Sequence, residues 1–279
     1  MVSRTKLKFS HPQVSVLMPA YNAEYYISTA INSILKQTYK NFEFIILDDA
    51  STDNTWQIIK KFEKKDKRIK AYHNNKNLYI AASRNKLLKL ARGKYIAWQD
   101  ADDISLRDRL EKQVIYLENH PEVGIVGGFL EFYQNKRVTS VRRYKENDSD
   151  LRRLIFRYSP VAQPAAMIRK QCFNEVGIYN LKYPPAEDID MSFRIGSKWK
   201  FANIQKPVIR YRILQESATF KKLRHQFFST IEIRNKFAKN KAYKRTFLDV
   251  IINYLQIISI YILPPRFAIA IFIKIRNTF

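Results

Sequence analysis

The chain has 279 residues, enough for one large α/β domain with an appendage and too few for two equal domains. Hydrophobic residues make up 46% and charged residues 27%, a core-forming composition that excludes general disorder. The single Cys172 excludes an internal disulfide and a cysteine zinc cluster, and fifty Lys+Arg against 25 Asp+Glu leave a net charge of +25.

That charge points to a polyanionic neighbour, either nucleic acid or anionic lipid headgroups. Cys172 reads as a buried structural thiol in a reducing compartment. Met1 to Ser10 is basic, with no apolar run behind it long enough for a signal peptide, so a cytoplasmic location is expected.

Val14 to Met18 is an apolar, β-branched run ended by Pro19 and predicts a buried first strand. Between Asn22 and Gln37, the residues Ile27, Ala30, Ile31, Ile34 and Leu35 fall on one face of a helix. Phe42 to Leu47 predicts the second strand. After the polar turn Asp48 to Asn54, Trp56, Ile59 and Phe62 mark a second helix. Ile69 to Tyr72, Ala81 to Leu90 and Tyr95 to Trp98 continue as strand, helix and strand. A helix is predicted from Ser105, where Ser105 and Asp108 have capping-box spacing and Leu110, Val114 and Leu117 form the buried stripe. Val123 to Tyr133 reads as strand, Leu151 to Tyr158 as helix and Ala165 to Arg169 as strand. Glu187 to Gly196 and Phe201 to Tyr211 close the series as helix and strand. This alternation predicts an α/β fold with a mostly parallel sheet.

The composition then shifts, dividing a 1–220 domain from a 221–279 tail. Residues 221–246 carry nine Lys and Arg against one acid, Glu232. Phe247 to Leu263 is apolar apart from Asp249, Asn253, Gln256 and a few hydroxyls, too short and too polar for a span of about 20 apolar residues. Pro264-Pro265 stops it, and Phe267 to Ile275 is a second apolar stretch flanked by Arg266, Lys274 and Arg276. Apolar helices broken by prolines beside a cationic segment predict an in-plane anchor on an anionic membrane surface. The alternative is a helical lid packed on the domain or on a second copy in a homodimer.

Carboxylates gather at predicted strand ends, where open α/β sheets place their ligand crevice. Asp48 and Asp49 follow the second strand, Asp100, Asp102 and Asp103 follow Trp98, and Glu187, Asp188 and Asp190 sit at a turn into a helix. Asp-x-Asp spacing presents oxygens to one hard cation, Mn2+ or Mg2+, which in turn takes diphosphate oxygens. N-capping is the competing use of such pairs. No glycine-rich nucleotide loop of either common type occurs, which removes the main support for a dinucleotide oxidoreductase or a phosphate-loop NTPase. The first strand ends instead in Pro19-Ala20-Tyr21-Asn22, where Tyr21 could stack on a base and Asp49 accept from a pyrimidine. His11, His73, His120 and His225 share no ligand spacing.

In order, the runs 14–22 (VSVLMPAYN), 31–38 (INSILKQT), 48–53 (DDASTD), 83–85 (SRN) and 95–103 (YIAWQDADD) resemble the family 2 glycosyltransferases of the GT-A fold, over roughly residues 12–217. That resemblance implies a metal-dependent inverting transfer from a nucleotide-diphosphate sugar, UDP-sugars favoured, to a glycan or lipid-linked acceptor in cell-surface polysaccharide synthesis. It implies that Pro19, Tyr21 and Asp49 line the nucleoside pocket, and that Arg84 lies near the nucleotide or donor sugar. Asp100 and Asp102 match the Asp-x-Asp pair, with Asp102 the direct metal ligand. Asp188 matches the catalytic base, with Asp190 as alternate. Such an enzyme would work on the inner face of the membrane.

Three positions depart from the pattern. Tyr79 and Leu87 stand where relatives often have glycine, and Leu214 replaces a histidine that commonly helps hold metal or diphosphate. The rival readings are a catalytically degenerate GT-A fold acting as a binding or scaffold protein, and a nucleic-acid binder. The second fails because basic and aromatic residues form no nucleic-acid module.

Overall fold

The structure, a computed structural model, describes residues 12–213 and 223–263. Met1 to Ser10, Leu214, Glu216, Pro264-Pro265 and the stretch 267–275 lie outside those residues.

Four parallel strands form one half of the sheet: β1 (Val14–Ala20), β2 (Phe42–Asp48), β3 (Ile69–His73) and β4 (Tyr95–Trp98). All residues of β1, β2 and β4 are buried, as near-continuous apolar runs require when both faces of a sheet are covered. Helices α1 (Ile27–Leu35), α2 (Thr55–Lys65) and α3 (Tyr79–Leu90) make the crossovers. Beyond β4 the sheet turns mixed, running β3-β2-β1-β4-β8-β6-β9-β5, with β7 paired to β6. The added strands are β5 (Ile104–Ser105), β6 (Val123–Gln134), β7 (Arg137–Arg142), β8 (Met167–Arg169) and β9 (Lys200–Arg212). One face packs on α1, α2 and α4 (Arg109–Asn119) through Ile31, Ile34, Ile59, Leu110 and Leu117. The other packs on α3, α5 (Asp148–Leu154), α6 (Lys170–Val176) and α7 (Glu187–Gly196).

The strand starting at Val14 runs through Pro19 to Ala20 instead of stopping before the proline. Pairing with β4 ends at Leu17, so the missing Pro19 amide costs no ladder bond. Ser105 does not cap a helix. It sits in β5, antiparallel to β9, and its amide donates to Ser33 Oγ at 3.0 Å. Helix α4 begins at Arg109, and Asp108, with no side-chain cap bond, pairs with Lys112. Strand β6 matches the predicted run from Val123 to Tyr133, whereas β7 and helix α6 have no counterpart in the sequence pattern. The hairpin turn uses Asn135 and Lys136 at φ 50° and 61°, two consecutive left-handed residues of the kind a two-residue turn between twisted strands requires. At the opposite end of the sheet, Gly93 is needed because a Cβ there would lie 2.5 Å from the Ser15 amide nitrogen.

The tail begins with α8 (Leu223–Phe237), whose Ile233 and Phe237 join the core. Phe237 stacks on Phe193 with centroids 4.9 Å apart, and Tyr243 donates to the Phe193 carbonyl. Helix α9 (Phe247–Ile262) opens with a capping box between Thr246 and Asp249. Its polarity is inverted. Asp249 is fully buried against Arg157, and Asn253 and Gln256 accept from the buried Arg234. Phe247, Leu248, Ile251, Tyr254, Leu255, Ile258, Tyr261 and Ile262 form an exposed stripe along the outside. No described helix is long and apolar enough to cross a membrane.

Candidate functional site

Register brings the first two carboxylate groups to one edge. Ala20 pairs with Asp48 and Leu17 with Trp98, so Tyr21, Asp49 and Asp100 each follow the carboxyl end of a neighbouring parallel strand. Asp48 is structural: fully buried, it bonds Ser51 and lies 2.8 Å from His73 Nδ1. Asp49 accepts from Asn74 Nδ2 at 2.7 Å and from the Leu78 amide at 2.9 Å, fixing the entry to α3. A cleft of about 390 Å³ lined by Asn74, Asn75, Lys76, Leu78 and Lys86 opens beside that contact. Tyr21 is 49% exposed at the same edge of the sheet.

The loops at this edge hold unusual backbone. Asn22, Ala50 and Tyr79 adopt φ of 48°, 61° and 64°. Such conformations cost an L-residue on the order of 1 kcal/mol or more and cluster where a site needs a fixed loop shape. The Tyr79 departure therefore has a physical reading: the position calls for a left-handed residue, which glycine supplies without strain. Neighbouring bonds hold the shape, since Asn22 receives the Thr52 amide and Ala23 donates to Thr55.

Arg84, on α3, joins the remaining groups. It is buried, donates to Glu187 Oε1 at 2.6 Å, and lies 3.8 Å from Asp100 Oδ1. Its guanidinium sits 5.4 Å from the Trp98 ring centroid and 5.7 Å from that of Tyr179. Burial opposes this cation, but Glu187, Asp100, Tyr179 and Asp188 outweigh it and hold its pKa above the usual value. Burial raises Glu187 to about 7 against the pull of Arg84, and it raises Asp188 against the same pull. Asp188 is part-exposed at the first turn of α7, with the Ile189 amide donating to it. Asp190 faces elsewhere. It is fully buried, bonded to Arg194 at 2.7 Å, with Lys236 3.4 Å away.

The Asp-x-Asp loop is a second built element. Burial raises Asp100; burial and Asp100 raise Asp102 to about 6; burial with both neighbours raises Asp103 further. Asp103 Oδ2 is buried without a hydrogen-bond partner. Carboxylate oxygens that repel one another in a half-buried loop are the donor set a hard cation neutralises. Among the described residues no three His, Cys, Asp or Glu side chains converge as metal ligands. Asp102 and Asp100 could hold such an ion only with phosphate oxygens and water completing its shell.

Several organising residues carried no sequence signal of their own. Gln99 Nε2 donates to the Asp100 and Asp103 carbonyls, and Arg109, fully buried, donates to the Trp98 carbonyl. Arg212, at the end of β9, donates its amide to Asp103 and its side chain to the Asp102 carbonyl.

Removing one partner of a buried ion pair leaves an uncompensated charge, at a cost of about 3–5 kcal/mol. Arg84→Met is therefore expected to lower the melting temperature by roughly 6 °C or more, at about 2–4 °C per kcal/mol for a domain this size. Arg84→Met with Glu187→Gln should recover most of that loss in thermal melts. A double variant no more stable than the single would contradict the pairing.

Comparison with known proteins gives the family and the fold. Residues 15–177, more than half the chain, match the model of glycosyl transferase family 2. An uncharacterized glycosyltransferase of Methanocaldococcus jannaschii is 33% identical over 95% of this chain and 94% of its own length. Among solved structures, S. aureus TarS 1-349 in complex with UDP-GlcNAc superposes with a TM-score of 0.69 at 21% identity, covering 89% of this chain and 73% of that one. The mannosyltransferase PcManGT of Pyrobaculum calidifontis, in complex with GDP-Man and Mn2+, gives 0.63 at 17% identity over 95% and 80%. These likenesses carry the fold, a GT-A sheet. With the match across residues 15–177, the chain belongs to glycosyl transferase family 2.

Proposed function

We propose that the chain is an inverting, metal-dependent glycosyltransferase that moves a sugar from a UDP-sugar to a hydroxyl of a glycan or lipid-linked acceptor in cell-surface polysaccharide synthesis. The observation that carries this reading is Arg84, which ties the Asp-x-Asp loop and the Glu187-Asp188 turn to one buried cation. Asp49, which braces the start of the same helix, reads the base, with Pro19 and Tyr21 beside it. UDP is favoured because a neighbour of this fold was solved with UDP-GlcNAc.

Asp188 is the general base. As the acceptor oxygen bonds to the anomeric carbon, Asp188 takes its proton, and the bond to the diphosphate oxygen breaks with the electron pair leaving on the nucleotide. Partial burial, which raises its affinity for a proton, suits that task. Asp190 has both oxygens engaged by Arg194 and Lys236, which leaves the role to Asp188. Asp102, with Asp100, would hold Mn2+ or Mg2+, which supplies charge neutralisation of the departing diphosphate. Arg84 orients both carboxylate groups from within the protein. A single displacement with one base inverts the anomeric centre.

Asp188→Asn is expected to cut turnover by at least 100-fold, the order lost with a general base, while UDP-sugar with Mn2+ still raises the melting temperature. Retained turnover would remove Asp188 from the role. A wild-type chain that binds donor yet neither hydrolyses nor transfers it would be a binding subunit instead.

The partner of the tail, in this proposal, is the anionic inner face of the membrane. The exposed stripe of α9 supplies apolar contact, and Lys239, Lys241 and Lys244, exposed before it, supply charge worth about 1 kcal/mol each near such a surface. The chain should float with phosphatidylglycerol vesicles and detach when Leu255→Glu and Ile258→Glu are introduced. Absence of flotation, together with a concentration-dependent dimer in sedimentation, would assign the stripe to a second copy.

A further inference from the structure

A cavity of about 530 Å³ lies between the sheet and α5, apart from the carboxylate edge. Its volume is that of a small-ligand site. Phe129, Tyr144, Leu151, Leu154 and Tyr158 give it an aromatic and aliphatic floor, and Arg143 and Lys145 line it as cations. Both cations are exposed, and neither forms an ion pair among the described residues. One acid, Glu146, also lines the space.

Polar side chains tie the walls together. Asn203, fully buried on β9, donates to the Lys145 carbonyl at 3.1 Å and to the Pro160 carbonyl at 2.9 Å, clamping two sides together. Gln205 donates to the Tyr144 carbonyl at 3.2 Å. Gly127 admits this clamp, since a Cβ there would fall 2.5 Å from Asn203 Oδ1.

Position gives the cavity its meaning. Helix α5 covers the same sheet face as α3 and α7, which carry Arg84 and Asp188. Five residues beyond Tyr158, Gln163 donates to the Tyr179 hydroxyl at 2.7 Å, and the Tyr179 ring lies against Arg84. On the other side Arg157, adjacent to Tyr158, bonds Asp249 at the start of α9. One stretch of chain, 157–163, thus bonds the helix with the exposed apolar stripe, lines the cavity and bonds the tyrosine that lies against Arg84. Diphosphate of the donor belongs at Asp102 and Arg84, so the cations here answer a different anion.

We propose that this cavity is the acceptor-lipid subsite: it seats the phosphate and first apolar units of a lipid-linked acceptor, with Arg143 and Lys145 on the phosphate and the aromatic floor under the chain. The assignment deepens the glycosyltransferase reading and rests on it. Exposed cations over a half-apolar floor match an amphiphilic phosphate better than a free anion, which has no use for the floor, or a neutral alkyl chain, which has none for the cations.

The test is calorimetric titration of the full chain with n-octyl phosphate below its micelle-forming concentration, with inorganic phosphate and octyl glucoside as comparators. Saturable binding of octyl phosphate at least tenfold tighter than either comparator is expected. Arg143→Glu with Lys145→Glu should weaken it tenfold or more, and Leu154→Ser should weaken it without changing the response to inorganic phosphate. The melting shift caused by UDP with Mn2+ should persist in all variants, which reports that they are folded. No saturable binding, inorganic phosphate binding as tightly as octyl phosphate, or unchanged affinity in the charge-reversed variant would overturn the proposal. Because no turnover is read, failure of the catalytic assignment shows separately, as loss of transfer with octyl phosphate binding intact.

Discussion

A guanidinium removed from water must be surrounded by negative charge, and in this chain that requirement fixes Arg84 between two carboxylate groups far apart in sequence. Glu187 is 103 positions away, and Asp100 belongs to a different loop. Burial raises each of those carboxylates, and the Arg84 cation pulls both back toward their charged forms. The pair sets the distance from the strand-end loop to the first turn of α7. That span is where a donor sugar and an attacking hydroxyl would have to meet.

The same logic of buried charge orders the tail. Helix α9 turns its polar residues inward because Arg157 and Arg234 are waiting there, with Asp249, Asn253 and Gln256 as partners. The apolar residues are left outside. An ordinary amphipathic helix does the reverse. Such a stripe suits an apolar partner, and Arg157, the neighbour of the cavity-lining Tyr158, ties the start of α9 to the end of α5. Donor, acceptor and membrane thus fall on successive portions of one sheet face in the proposed scheme.

Much of this was legible in the sequence. Strands buried on both faces show as apolar runs, and the helices over them show as 3.6-residue stripes, so the βαβ half was readable from Val14 to Trp98. The clustering of acids at strand ends marked the crevice. What the sequence could not show were features settled by distant residues. Ser105 has the spacing of a cap, yet pairing with β9 and the Ser33 hydroxyl draw it into a strand. The β6–β7 turn uses Asn135-Lys136, without the glycine that usually announces such a hairpin. Asp188 and Asp190 look alike on paper. Arg194 one turn on and Lys236 on α8 occupy Asp190, while Asp188 is part-exposed and carries no ion pair within 4 Å among the described residues. Tyr79 looked like a loss of glycine, and its φ of 64° shows that the backbone kept the shape.

The central claim is that the carboxylates around Arg84 enclose one leaving group and one attacking group. A crystal of the chain grown with UDP-sugar and Mn2+, measured for anomalous scattering at the manganese edge, tests it most directly. The account requires a single strong peak between Asp102 and the two phosphates, the uracil against Asp49, and Asp188 across the anomeric carbon from the diphosphate. Manganese or nucleotide found away from Asp102, or Asp188 on the same side as the leaving phosphate, would contradict it.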